Sequence, residues 1–202
     1  MSEARIGRVV VASIHQALAD HIPLRIDFYE NYLRPMRLRE GRIGAPAFLA
    51  ALSFLRREGD AWAPVMAKAG RSAADWEFAN LSRLRRAWYR RLPAGWRLRL
   101  ALGMARHLVA QSTPATRAKT ALTNGGAVID IHHSPFCEVR DASALPLCGF
   151  YAAAFDRLAE LLLLEGRAVP IGCQAMGKPF CRWEFQSAPP VTPARADVAP
   201  EQ

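Results

Sequence analysis

Four cysteines, Cys137, Cys148, Cys173 and Cys181, are the side chains of this sequence best suited to chemistry, and all fall towards its carboxy-terminal end. Thiolates bind metals and attack electrophiles, and a tetrahedral zinc site needs four donors brought close together. The close Cys-x-x-Cys pair that usually marks such a site is absent, so the fold must supply the proximity. A hairpin would set Cys173 opposite Cys181, a helix laid across it would add Cys148, and Cys137 or His133 would complete the set. Three outcomes stay open for these thiols: a metal centre, small buried side chains of apolar character, or redox and disulfide chemistry. In a chain of 202 residues, four cysteines do not make a disulfide scaffold. Asp130, His132 and His133 form a second group, but adjacent histidines on a strand point to opposite faces, so at most one of them lines a site.

The elements that must position these residues can be read from periodicity. Cys148, Tyr151, Phe155, Leu158 and Leu162 recur at steps of three and four, giving one apolar face to a helix from about Leu147 to Leu164 that Glu165-Gly166 ends. Two alternating runs follow, with Val169, Ile171 and Cys173 on one face of the first and Cys181, Trp183 and Phe185 on one face of the second. Met176-Gly177-Lys178-Pro179 is the turn between them. Upstream, the turn signal Asn124-Gly125-Gly126 opens a strand from Ala127 to His133, which Ser134-Pro135 stops. The side chains expected beside an apolar pocket are Phe136, Tyr151, Phe155, Trp183 and Phe185, with His133 at its edge; the plainer alternative is that they are core.

The amino-terminal half reads as helical. Ile6 to Leu18 suits a short amphipathic helix, and Phe28, Tyr29 and Tyr32 suggest a segment laid over a core before Arg34-Pro35 interrupts. After the Gly41-Arg42-Ile43-Gly44 loop, a helix is expected from Ala45 to Arg57. A second carries Trp62, Val65 and Met66 and ends near Gly70; a third runs from Ala73 to about Leu92; a fourth runs from about Trp96 to Gln111. The last two hold Arg83, Arg85, Arg86, Arg90, Arg91 and Arg97, interleaved with Trp88, Tyr89 and Trp96. Two readings compete: a solvated arginine face on a core helix with tryptophan inside, or a surface that meets an anionic membrane or protein partner through Arg85, Arg86, Arg90 and Arg97. No nucleic-acid-binding motif accompanies the charge, so nucleic acid is not the expected partner.

Composition bounds the rest. With 51% hydrophobic residues the chain carries one core of ordinary size, and its net charge of +9 and pI near 10.1 favour anionic neighbours. The expected organisation is a helical extension over residues 1–40, a single ligand-binding α+β domain over 41–186, and a proline-rich disordered tail over 187–202. No apolar run suits a bilayer span and no signal peptide is evident, so a cytoplasmic location is expected, with at most peripheral contact with the inner membrane. Phosphate-binding glycine loops, nucleophile elbows and dinucleotide fingerprints are absent from the sequence.

The runs Pro146-Leu147-Cys148-Gly149-Phe150-Tyr151 and Val169-Pro170-Ile171-Gly172-Cys173, followed by Met176-Gly177-Lys178-Pro179-Phe180-Cys181-Arg182-Trp183-Glu184-Phe185, resemble the 4-vinyl-reductase domain family. That family includes bacteriochlorophyll 4-vinyl reductase, hydrocarbon-binding proteins and the sensor domains of phenol-responsive transcription activators, and its fold is related to small subunits of vesicle-tethering complexes. The match is good over Ile129 to Phe185, with 126–186 the best-matched part, and Gly41-Arg42-Ile43-Gly44 is similar to the opening of the vinyl-reductase members. The resemblance implies an antiparallel sheet packed with helices around a pocket for an apolar or aromatic molecule, most specifically a tetrapyrrole of bacterial bacteriochlorophyll synthesis and photosynthesis. It implies a reductase or an accessory to one, a homodimer as a further association, and zinc held through three cysteines and a glutamate. Cys148, Cys173 and Cys181 match the cysteines, Pro170 stands at the glutamate position, and Cys137 is the nearest replacement.

Overall fold

The structure, a computed structural model, describes residues 5–33, 44–139 and 141–187. Arg34-Pro35, the Gly41-Arg42-Ile43 part of the loop and the tail from 188 onwards lie outside the described residues. Seven helices are described: α1 (Arg8–His21), α2 (Ile26–Leu33), α3 (Ala45–Arg57), α4 (Trp62–Ala79), α5 (Arg83–Arg91), α6 (Ala94–Ala110) and α7 (Gly149–Leu161). Four strands, β1 (Arg117–Thr123), β2 (Gly126–His132), β3 (Gly166–Gly172) and β4 (Cys181–Ser187), form one antiparallel sheet in the order β1-β2-β4-β3. The class is α+β, with helices packed on the sheet.

The sheet's inner face follows from alternation. Ala127, Ile129 and Ile131 of β2 are buried and stand opposite Phe185, Trp183 and Cys181 of β4, so two period-two rows meet in register. Helix α7 lies on that face through Tyr151, Phe155 and Leu158, and α4 covers the other side of α7. Helix α1 then packs on α4, and its Val10, Val11, Ile14 and Leu18 belong to the same buried core as α7 and the sheet.

Three local expectations need correcting. Gly70 does not end a helix: α4 continues to Ala79, and the chain breaks at Asn80–Ser82, where the Ser82 hydroxyl accepts from the Arg85 amide and caps α5. Gly70 is instead where α4 meets α7, since a Cβ there would lie 2.1 Å from the Phe150 carbonyl oxygen. Strand β1 was not expected, because its side chains are mostly exposed and carry no apolar alternation. In β3 the single-face row fails: a bulge between Pro170 and Gly172 switches parity, so Ala168 and Cys173 point inward while Ile171 is exposed.

The tryptophans also differ from the core-helix reading. Trp88 and Trp96 are 59% and 58% exposed, and Leu84 is 83% exposed. Helix α5 buries none of its residues. None of the described helices is long and apolar enough to cross a membrane.

Candidate functional site

The four cysteines reach one point from separate parts of the chain. Cys137 closes a single 3₁₀ turn (Pro135–Cys137) after β2, Cys148 is the residue before α7, Cys173 follows the β3 bulge, and Cys181 opens β4. The bulge is what aims Cys173 inward, because without it the strand's alternation would turn that side chain with Ala168's opposite row. All four side chains are buried and their sulfurs lie within 4.8 Å of one another. The Sγ–Sγ separations are 3.4 Å for Cys137–Cys173, 3.5 Å for Cys137–Cys181, 3.6 Å for Cys148–Cys173 and 4.0 Å for Cys173–Cys181.

These lengths discriminate between chemistries. A disulfide needs about 2.05 Å between sulfurs, and all four cysteines are free thiols. A tetrahedral zinc ion with metal–sulfur bonds of about 2.3 Å has sulfur–sulfur edges of about 3.8 Å. The observed edges bracket that figure, so the residues present fit zinc. The Gln174 amide donates to Cys181 Sγ at 3.4 Å, the kind of outer hydrogen bond that steadies a thiolate. Hydrogen bonds within the cluster, led by that with Cys137, hold the Cys173 thiol below its ordinary range and push those of Cys148 and Cys181 above it. Four protein sulfurs complete a tetrahedron, which is the closed form of a structural site, with no position left for substrate.

Arg56, at the end of α3, was not picked out from the sequence. Its guanidinium donates to the carbonyls of Phe136 and Glu138 at 3.0 Å and of Pro135 at 3.4 Å, clamping the turn that carries Cys137, and it lies 5.4 Å from the Trp62 ring. Burial lowers its pKa, while the nearby Cys137 and Glu138 act in the opposite sense. In the sequence nothing separates it from Arg57, its neighbour in the helix's last turn.

Asp130, His132 and His133 do not converge. Asp130 makes a two-pronged ion pair with Arg182, both distances 2.7 Å, across the outer face of the sheet. His132 lies against the Phe180 ring, with centroids 5.1 Å apart. His133 is exposed at φ 55°, where the chain turns out of β2, so it neither joins the sulfurs nor lines a buried pocket. Pro170 is likewise exposed and paired with Trp183 across the strands, so the fourth place beside Cys148, Cys173 and Cys181 is held by Cys137.

The aromatic side chains divide into two groups. Phe136 stacks on Phe150 at 4.7 Å and meets Tyr151 edge-on at 5.1 Å, while the Tyr151 hydroxyl, its pKa raised chiefly by burial, donates to Ser112 Oγ at 2.9 Å. That group is packed core. Phe155 and Phe185 instead border an apolar cavity of about 20 Å³ between α6, α7 and the sheet, together with Leu98, Leu102, Ala105 and Ile129. Trp183 stands between Ile129 across the strands and Phe185 along its own strand face; it is buried, and its indole Nε1 has no hydrogen-bond partner.

Comparison with known proteins gives a fold and no family. No protein-family model and no curated protein matches the sequence. Among solved structures, the phenol-responsive sensory domain of the transcription activator PoxR, with phenol, is similar, with a TM-score of 0.53 and 11% identity over 71% of this chain and 74% of that chain. The two share a fold.

The arginines named from the sequence have different duties. Arg90 donates through Nε to the Leu161 carbonyl at 3.0 Å, and Arg97 donates to the carbonyls of Leu162 and Leu163 at 2.9 and 2.6 Å, so both cap the carboxy-terminal end of α7. Arg86 is half-buried, and Arg85 is exposed.

Proposed function

We propose that the protein binds a small apolar or aromatic molecule in the seam between α6, α7 and the sheet, within a scaffold braced by zinc on Cys137, Cys148, Cys173 and Cys181. The observation that carries the ligand reading is the apolar cavity beside Phe155 and Phe185. Trp183, which pairs across the strands with Ile129 of that lining, buries an indole N–H without a partner; such a donor is costly, and a ligand hydroxyl that reached it in a widened seam would satisfy it. The fold shared with a phenol-responsive sensory domain supports the same class of ligand. Zinc bound at the cysteines would supply a cross-link between the turn, the start of α7 and the hairpin, holding the inner face on which the ligand rests.

Size favours a single ring over a tetrapyrrole. A cavity of about 150 Å³ takes benzene, so the 20 Å³ seam must widen even for phenol. The α6 side of the seam is lined by the small side chains of Ala101 and Ala105, so widening it calls for a shift of that helix. The tetrapyrrole and vinyl-reductase reading rests on the sequence resemblance to the 4-vinyl-reductase domain, and it would require far larger opening.

The test is calorimetric titration of the purified chain with phenol. Leu102→Ala enlarges the seam and should tighten binding, whereas Ala105→Leu fills it and should abolish binding. If phenol and larger aromatics fail to bind the wild type, or if both variants bind as it does, the seam is core and the proposal fails.

A further inference from the structure

Helix α5 is built inside out. Its inward side consists of Arg86, Tyr89 and Arg90: Tyr89 packs with the buried Phe78 and Leu162 group, and the Arg90 guanidinium lies 5.4 Å over the Phe78 ring while capping α7. Leu84 and Trp88, one turn apart, therefore point away from the protein, and both are exposed. The Arg90 hydrogen bond and ring contact fix this orientation, which leaves two large apolar side chains in water.

The surroundings continue the pattern. Trp96 opens α6, is exposed, and has the Arg99 guanidinium 5.4 Å over its ring. It shares a groove of about 460 Å³ with Leu122, a half-exposed residue near the tip of the β1–β2 hairpin. Along this stretch of sequence the charge is of one sign: no aspartate or glutamate occurs between Glu77 and Asp130, while Arg83, Arg85, Arg91, Arg99, Arg106 and Lys119 are exposed in it; the exposed Glu160 and Glu165 flank the carbonyls of Leu161, Leu162 and Leu163 that Arg90 and Arg97 cap.

We propose that this end of the molecule, α5 with the start of α6 and the β1–β2 hairpin tip, docks on an anionic phospholipid bilayer. Tryptophan and leucine projecting among arginines match the layered chemistry of a membrane surface, where indoles sit at headgroup depth, leucine reaches the acyl boundary and guanidinium groups meet phosphates. A nucleic-acid surface would use the charge but has no place for Leu84. An acidic protein would use both, yet the single sign of charge along α5, α6 and the hairpin fits a uniformly anionic plane better than the mixed rim of a protein interface. The groove adjoins the seam proposed for ligand, sharing Leu98 and Leu164 with it, but Leu84, Trp88, Trp96 and Leu122 do not line the seam, so either proposal stands without the other.

Co-sedimentation of the full chain with vesicles tests the proposal. Binding is expected to phosphatidylglycerol-containing vesicles, about tenfold or more weaker on pure phosphatidylcholine, and weakened by salt because screening shortens the reach of the charges. Leu84→Ser with Trp88→Ser removes only exposed side chains and should release the protein from vesicles, as should Arg85→Glu with Arg91→Glu. Equal binding to both vesicle types, or vesicle binding unaffected by the Leu84/Trp88 pair, overturns the proposal. So does binding to a soluble polyanion that competes fully with vesicles and depends on the arginines alone, which would mark a general polyanion surface.

Discussion

Replacing Cys137 by serine separates a metal centre from a cluster of buried thiols. The turn carrying Cys137 is clamped by Arg56, and its sulfur lies 3.4 and 3.5 Å from those of Cys173 and Cys181, so the substitution removes one donor without displacing the other three. Structural zinc on four ligands contributes about 10–16 kcal/mol of apparent binding free energy at neutral pH, roughly 2.5–4 kcal/mol for each donor if shared evenly. Loss of one thiolate should therefore weaken zinc binding by about sixtyfold or more. The whole term is comparable to the entire stability of a domain, about 5–15 kcal/mol, so a strong chelator should lower the melting temperature of the wild type sharply. The assay is metal content by elemental mass spectrometry on protein purified under reducing conditions, with thermal melts in the presence and absence of chelator. Substitution by cobalt should also give the visible absorption of a tetrahedral thiolate site. Wild type should hold one zinc ion per chain, and Cys137→Ser should hold less than one and melt at a temperature little affected by chelator. A wild type without bound metal, indifferent to zinc and chelator, would refute the reasoning and leave the four sulfurs as core.

Two further outcomes follow from the fold. Gly70→Ala forces a Cβ to within 2.1 Å of the Phe150 carbonyl oxygen, so α4 and α7 must separate; denaturant melts should show a loss of about 1–3 kcal/mol, and an unchanged midpoint would deny the close crossing. The Arg182 hydrogen bonds hold the Asp130 carboxyl below the usual carboxylate range, so the pair's contribution is present above the unfolded-state pKa and is lost as pH falls through the folded one. The stability gap between wild type and Asp130→Asn should therefore narrow on acidification, and a gap that stays constant in urea melts across the acid range would count against the pair.

Where a segment's own periodicity decides its structure, the sequence was sufficient. Helix α3 begins and ends at the expected residues, β4 shows the expected inner row, and the four cysteines singled out by chemistry share one centre. The departures come from tertiary constraints that leave no local periodic mark. Gly70 reads as a helix stop because glycine is a poor helix former, whereas the crossing of α7 requires its missing side chain. The bulge in β3 shifts parity in mid-strand, so counting alternate residues from Val169 gave Cys173 the correct inward direction while assigning Ile171 to the wrong face. In α5, hydrogen bonding and ring contacts of Arg90 decide which side turns inward, against the apolar pattern of Leu84 and Trp88. No local pattern marks Arg56, because its value lies in three carbonyls far along the chain.

The bulge at Pro170–Gly172 does more than aim a sulfur. β3 is an outer strand of the sheet, and such a strand offers unpaired backbone groups on which another chain can polymerise. Pro170 brings no amide hydrogen to that edge, and the bulge breaks the regular spacing that an incoming strand would need. The same irregularity that assembles the sulfur cluster inside thus guards the sheet against edge-to-edge aggregation outside, and straightening it would expose the protein to both losses at once.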